Sequence, residues 1–156
     1  MRNTVLALVS IALLSACGGS SDRESQSAET SGSIAGGIWL EEETLRGATL
    51  YLCPVKEQYQ FKRLTQARPS SDVAVSFFEI DLDRMNRTAE QVCPEQVAAD
   101  IEGKYQFEAV DPGDYLLYAA HKGDRDLAFW SLPVSVGGEA IALDLNEGNA
   151  SDRLAR

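Results

Sequence analysis

The chain has 156 residues, a formal charge of −10, three cysteines and a single histidine. That length suits one domain with a terminal extension. An acidic chain without a cluster of Lys and Arg cannot neutralise phosphates, which excludes nucleic acid as a partner, and the same charge argues against side-chain docking on anionic lipid.

Met1-Arg2-Asn3 carries one positive charge, and Thr4 to Leu14 forms an apolar run too short to span a bilayer as a permanent helix. Small residues then lead to Cys17, the layout of a secretory signal. Leu14-Ser15-Ala16-Cys17 closely resembles the lipobox of bacterial lipoproteins. The resemblance implies cleavage before Cys17, diacylglycerol on its sulfur and acylation of its new amine. Residues 1–16 are then a signal peptide, and the membrane becomes a partner through the lipid anchor. Gly18 stands where Asp would favour inner-membrane retention, so the outer membrane is the expected location in the cell envelope of a Gram-negative host. Residues 17–33 are rich in Ser, Gly, Glu and Thr and read as a flexible tether.

The domain is expected over 34–147. Ile34, Ile38, Trp39 and Leu40 open it as a first strand interrupted by Gly36-Gly37, and Glu41-Glu42-Glu43 makes a solvated turn. In the next strand Ala48, Leu50 and Leu52 share one face while Thr49, Tyr51 and Cys53 share the other. If the first set faces the core, Cys53 points away from it, where a bridge would pin down an overlying segment. An oxidising compartment permits Cys53 to pair with Cys93, two free thiols being the alternative. Two cysteines do not make a structural zinc site unaided.

Residues 55–95 read as a long insertion: a helix over Lys56 to Arg68, a strand over Val73 to Ile80, and a helical stretch over Thr88 to Gln96 broken by Pro94. Lys104-Tyr105-Gln106-Phe107-Glu108 alternates as a half-buried strand does. Asp111-Pro112-Gly113-Asp114 predicts a turn, with Tyr115 to Ala120 as the partner strand of a hairpin. His121 to Asp126 reads as a polar connection, and Phe129 to Val136 as a strand in which Pro133 marks an edge or a bulge. After Gly137-Gly138, Ile141, Leu143 and Leu145 face one way on the closing strand, and the polar tail 148–156 is expected to fray. The fold class is therefore all-β: about seven strands in an antiparallel sandwich carrying a long, partly helical insertion.

Asp100-Ile101-Glu102-Gly103-Lys104-Tyr105-Gln106-Phe107, followed by Val110-Asp111-Pro112-Gly113-Asp114-Tyr115-Leu116-Leu117, resembles the carboxypeptidase regulatory-like domains. Gly47-Ala48-Thr49-Leu50-Tyr51-Leu52 is similar to that family's second strand. The resemblance implies a prealbumin-like (transthyretin-like) β-sandwich that serves as an accessory domain and is not itself an enzyme.

The remaining residues offer little chemistry. His121 has no second histidine beside it, and no Gly-x-Ser-x-Gly nucleophile context exists. The hydroxyisourate-hydrolysing branch of the transthyretin-like proteins uses several histidines and a Tyr-Arg-Gly-Ser terminus, whereas this chain ends Arg153-Leu154-Ala155-Arg156. Asp81-x-Asp83-x-x-Asn86 lacks the turn glycine and distal glutamate of a calcium loop. Asp100, Glu102, Asp124 and Asp126 would approach one another at one end of the expected hairpin; they read as ordinary solvated turn charges, with a metal site as the weaker alternative, so no metal is expected. No cofactor is implied. The expectation is a non-catalytic envelope lipoprotein that displays a sandwich for protein or glycan contact. The alternative is a small-ligand or calcium-binding lipoprotein that uses the insertion or the acidic loops.

Overall fold

The computed structural model describes residues 30–57 and 72–155. The leader, Cys17, most of the tether and most of the helix expected over Lys56 to Arg68 lie outside the described residues. In chain order the strands are β1 (Gly32–Gly37), β2 (Trp39–Leu40), β3 (Glu43–Thr44) and β4 (Thr49–Pro54). Helix α1 (Asp72–Val92) follows. Then come β5 (Glu95–Ala98), β6 (Lys104–Val110), β7 (Gly113–Lys122), β8 (Asp126–Val136), β9 (Ala140–Ala142) and β10 (Asp152–Ala155).

Three layers result. A small sheet has the order β6-β1-β9 and a large one the order β10-β8-β7-β4-β5, with β2 and β3 forming a short hairpin. Between the sheets lie Ile34, Ile38, Tyr105 and Phe107 from the small sheet and Leu50, Leu52, Leu117, Ala119 and Trp130 from the large one. Each large side chain fully enclosed there contributes about 1.5–3 kcal/mol. The opposite face of the large sheet is also covered: Tyr51, Cys53, Leu116, Tyr118, Leu127 and Phe129 pack against Phe78, Leu82, Met85 and Ala89 of α1. Burial on both faces explains why the central strands read as unbroken apolar runs such as Leu116-Leu117-Tyr118-Ala119.

The all-β class, the sandwich and the helical insertion hold; several local expectations do not. Val73 to Ile80 is helical, not a strand. Val75, Phe78, Leu82, Met85, Ala89 and Val92 recur at alternating three- and four-residue steps and lay one stripe on the sheet. The helix stops where expected, before Pro94, with the Cys93 amide closing the last turn on the Ala89 carbonyl at 2.9 Å. Cys53 does face away from the inter-sheet core and is bonded to Cys93, their Cα atoms 4.3 Å apart, so the bridge ties the end of α1 to β4.

β6 and β7 do not form a hairpin. β6 pairs with β1 and β7 with β4 and β8, so Asp111-Pro112 carries the chain from one sheet to the other. The Tyr115 hydroxyl braces that corner by donating to the Asp111 carbonyl at 3.0 Å. A left-handed glycine is required in the turn before β6, where Gly103 has φ 74° and a Cβ would meet Thr44 Cγ2 at 2.3 Å. β1 and β9 run parallel, a departure from a purely antiparallel sandwich. Pro133 sits beyond the part of β8 that β10 covers, the edge position its missing N–H requires. The tail does not fray: β10 pairs with β8 from Phe129 to Asp126. His121 belongs to β7, opposite Ala128, and not to a loop.

Candidate functional site

The acidic end separates into two structural arrangements. In the turn before β6, Asp100 Oδ1 accepts the backbone N–H groups of Glu102 and Lys104, each at 2.8 Å. Glu102 accepts the Lys104 ammonium at 2.5 Å, which raises the Lys104 pKa. At the β7–β8 connection, the Asp126 carboxylate takes the Arg153 guanidinium at 2.9 Å and the His121 imidazole Nε2 at 3.3 Å. Arg153 also donates to Glu41 at 2.7 Å, and these contacts raise its pKa, that with Glu41 most. Arg125 donates to Glu43 at 2.8 Å. The hairpin β2–β3 stands between the arrangements, with Glu43 on Arg125 and Thr44 on Gly103. Asp124 makes no ion pair among the described residues.

Among the described residues no three His, Cys, Asp or Glu side chains converge as a metal site would need. The positive charge beside Asp126 and Glu41 is the guanidinium of Arg153, which β10 delivers from the tail expected to fray. A small depression of about 210 Å³ remains over this network, lined by Leu40, Glu41, His121, Asp126 and Arg153. The calcium-like trio lies on α1 and not in a loop. Asp83 pairs with Lys122 at 3.2 Å, Asp81 with Arg84 at 3.9 Å, and Asn86 accepts the Tyr118 hydroxyl at 2.8 Å.

A surface that sequence reasoning missed lies on the outer face of the small sheet. Ile34 of β1 and Ile38 just beyond its end face the core, so Ala35, Gly37 and then Trp39 face outward. β6 places Gln106 beside Ala35 and Lys104 beside Gly37. On the other flank Asp144 Oδ1 accepts the Gly37 N–H at 2.8 Å. The result is an open groove of about 510 Å³ with a floor of small residues and the half-buried Trp39 indole as its apolar wall. Its rim carries Glu102, Lys104, Gln106 and Asp144.

Two glycines make this geometry. A Cβ on Gly36 would stand 2.0 Å from the Leu143 carbonyl oxygen, and one on Gly37 would stand 2.9 Å from the Trp39 ring. Beneath them the Tyr105 hydroxyl donates to the Leu143 carbonyl, and burial, then the charge of Asp144, pushes its pKa up. Glu102 is the one acidic candidate that borders the groove. The available signal was phase: Trp39 is odd-numbered in a strand whose core residues, Ile34 and Ile38, are even-numbered.

No family model matches the chain, and no curated protein sequence matches it. Among solved structures it is similar to a Pseudomonas aeruginosa protein proposed to bind carbohydrate, with 15% identity and a TM-score of 0.45, covering 76% of this chain and 89% of that one. It is also similar to the major pilin subunit of Bacillus cereus, with 11% identity and a TM-score of 0.44, over 75% of this chain and 30% of the pilin. A minor pilin of Streptococcus agalactiae matches with 12% identity and a TM-score of 0.43, over 75% of this chain and 44% of its own length. Likeness at this level assigns no role to the chain.

Proposed function

We propose that this protein is a lipid-anchored lipoprotein of the cell envelope that displays a non-catalytic β-sandwich for contact with a protein or a glycan. The observation that carries the reading is the Trp39 groove, which offers an aromatic wall and a polar rim on a surface the fold does not use for its own core. The titratable groups that would suggest catalysis or cation binding are engaged elsewhere: His121 with Asp126, and Asp126 and Glu41 with Arg153. The lipobox resemblance at Cys17 supports acyl anchoring, and Gly18 supports the outer membrane in a Gram-negative host. The Asp-x-x-Gly-x-Tyr-x-Phe and Pro-Gly-x-Tyr pattern supports kinship with the carboxypeptidase regulatory-like accessory domains. Anchoring beside a surface raises local concentration, so weak contacts suffice.

Two measurements test this. Cys17→Ser abolishes labelling by a palmitate analogue and releases the protein from membranes; a variant that keeps the label ends the anchoring assignment. A photoreactive residue at Gln106, on the groove rim, yields specific envelope adducts, while one at Arg87, on the exposed side of α1, does not. Equal adducts at both positions would remove the groove from the reading.

A further inference from the structure

We propose that the Trp39 groove binds the flat face of a neutral sugar ring within a β-1,4-linked glycan chain. This deepens the display reading and rests on it for biological setting. The groove floor is the middle strand of the small sheet, and β6 and β9 pair with both edges of β1. An added peptide strand therefore finds no open backbone edge on β1, the strand that floors the groove. What the surface offers instead is a flat strip, Ala35 to Gly37, bounded by an indole.

The rim fits a polyhydroxylated ligand. A pyranose with equatorial substituents presents C–H groups on its faces and hydroxyls around its perimeter. The indole takes the face, and the perimeter needs both donors and acceptors. Gln106 supplies an amide with both capacities, Lys104 and Glu102 form a pair at 2.5 Å, and Asp144 spends one oxygen on the Gly37 amide. No described residue accepts a hydrogen bond from the Trp39 indole N–H. Glu102 and Lys104 offset each other, and Asp144 leaves the rim with one excess negative charge. That balance disfavours uronic acids and sulfated sugars and admits neutral ones. The volume of about 510 Å³ lies inside the range of roughly 300–1,000 Å³ common to small-ligand sites, so it accepts a short stretch of chain.

The test is titration of the full-length protein in detergent micelles with cellotetraose, chitotetraose and β-1,4-linked tetraglucuronate, read by isothermal calorimetry and tryptophan fluorescence. At least one neutral tetrasaccharide is expected to bind saturably and the acidic one not at all. Trp39→Ala should weaken that binding by about tenfold or more, while Trp39→Tyr keeps most of it and Gln106→Ala loses a smaller part. Thermal melts of each variant show that the fold is intact, and Gln106→Ala carries the test if Trp39→Ala does not fold. Failure of both neutral sugars to bind the wild-type protein, or equal binding by folded Trp39→Ala, overturns the inference. Protein adducts at Gln106 without sugar binding overturn it as well and leave the display reading standing. Saturable Trp39-dependent sugar binding without any envelope adduct supports it and removes only the envelope setting of the display reading.

Discussion

Trp130 lies wholly inside the space between the sheets, and its Nε1 donates to the Asn146 carbonyl at 2.8 Å. Trp39 lies half-buried on the outer face of the small sheet, and its N–H meets no described acceptor. The two indoles have the same payload of apolar surface and polar edge. One is enclosed and satisfied, so its free energy goes into holding the sheets together. The other is shelved across Gly37, where a side chain would collide with it, and its remaining surface is open to a ligand. Enclosure and hydrogen-bond satisfaction, not residue type, separate the two tryptophans.

The largest effect should come from Trp130→Ala. Emptying so large a buried site typically costs about 3–5 kcal/mol, lost transfer energy plus a cavity, and here the Asn146 carbonyl also loses the nearer of its two donors, keeping the Asn149 N–H at 3.2 Å. Denaturant unfolding should show a loss in that range, against under about 1 kcal/mol for Trp39→Ala. Similar losses from both substitutions would break the distinction.

Next in size is the bridge. The sandwich core and the helix-side core meet at β4, where Leu50 and Leu52 face one layer while Tyr51 and Cys53 face the other. Replacing Cys53 and Cys93 together with Ala should cost about 2–4 kcal/mol, because the open chain regains the entropy of a loop of roughly forty residues. The loss should be local as well as global. Hydrogen exchange should quicken over α1 and β5 first, while β6 and β1, which lie on the other side of the molecule, keep their protection. Uniform quickening in every strand would mean that the two layers are not separable.

The sandwich was legible in the sequence because its strands alternate and its turns carry strong signals. Tyr105 and Phe107 sit two apart, and Gly103 and Gly47 occupy left-handed positions. The orientation of Cys53 followed from the same alternation. The helix over 73–80 was not legible because Val73, Val75 and Phe77 alternate as a strand would. Phe77 and Ile80, moreover, remain 56% and 51% exposed and so blur the helical stripe. Only the longer run to Val92 reveals the helical period. The crossing at Asp111-Pro112 was hidden because a turn signal says that the chain reverses, not which sheet receives it. β10 was hidden because Asp152-Arg153-Leu154-Ala155 offers Leu154 alone as an apolar contact and is ordered by pairing with β8 and by the Arg153 ion pairs. Of the acidic candidates, Asp126 is matched from that same segment by Arg153, whereas Glu102 takes Lys104 two residues away and Asp100 takes backbone N–H groups of its own turn.

The smallest expected effect on stability is also the sharpest reading of the two indoles. Trp130→Phe leaves Trp39 as the sole tryptophan, and Trp39→Phe leaves Trp130. The enclosed indole of Trp130 should emit at shorter wavelength and resist quenching by acrylamide. Trp39, open along the groove, should emit nearer to the value for hydrated indole and quench several-fold more readily. Trp39→Phe should change the unfolding free energy by about 0.5 kcal/mol or less, since it removes little buried area and no hydrogen bond to a described residue. A shielded, blue emission from Trp39 would mean that another part of the chain covers the groove, and the surface would then belong to the fold and not to a ligand.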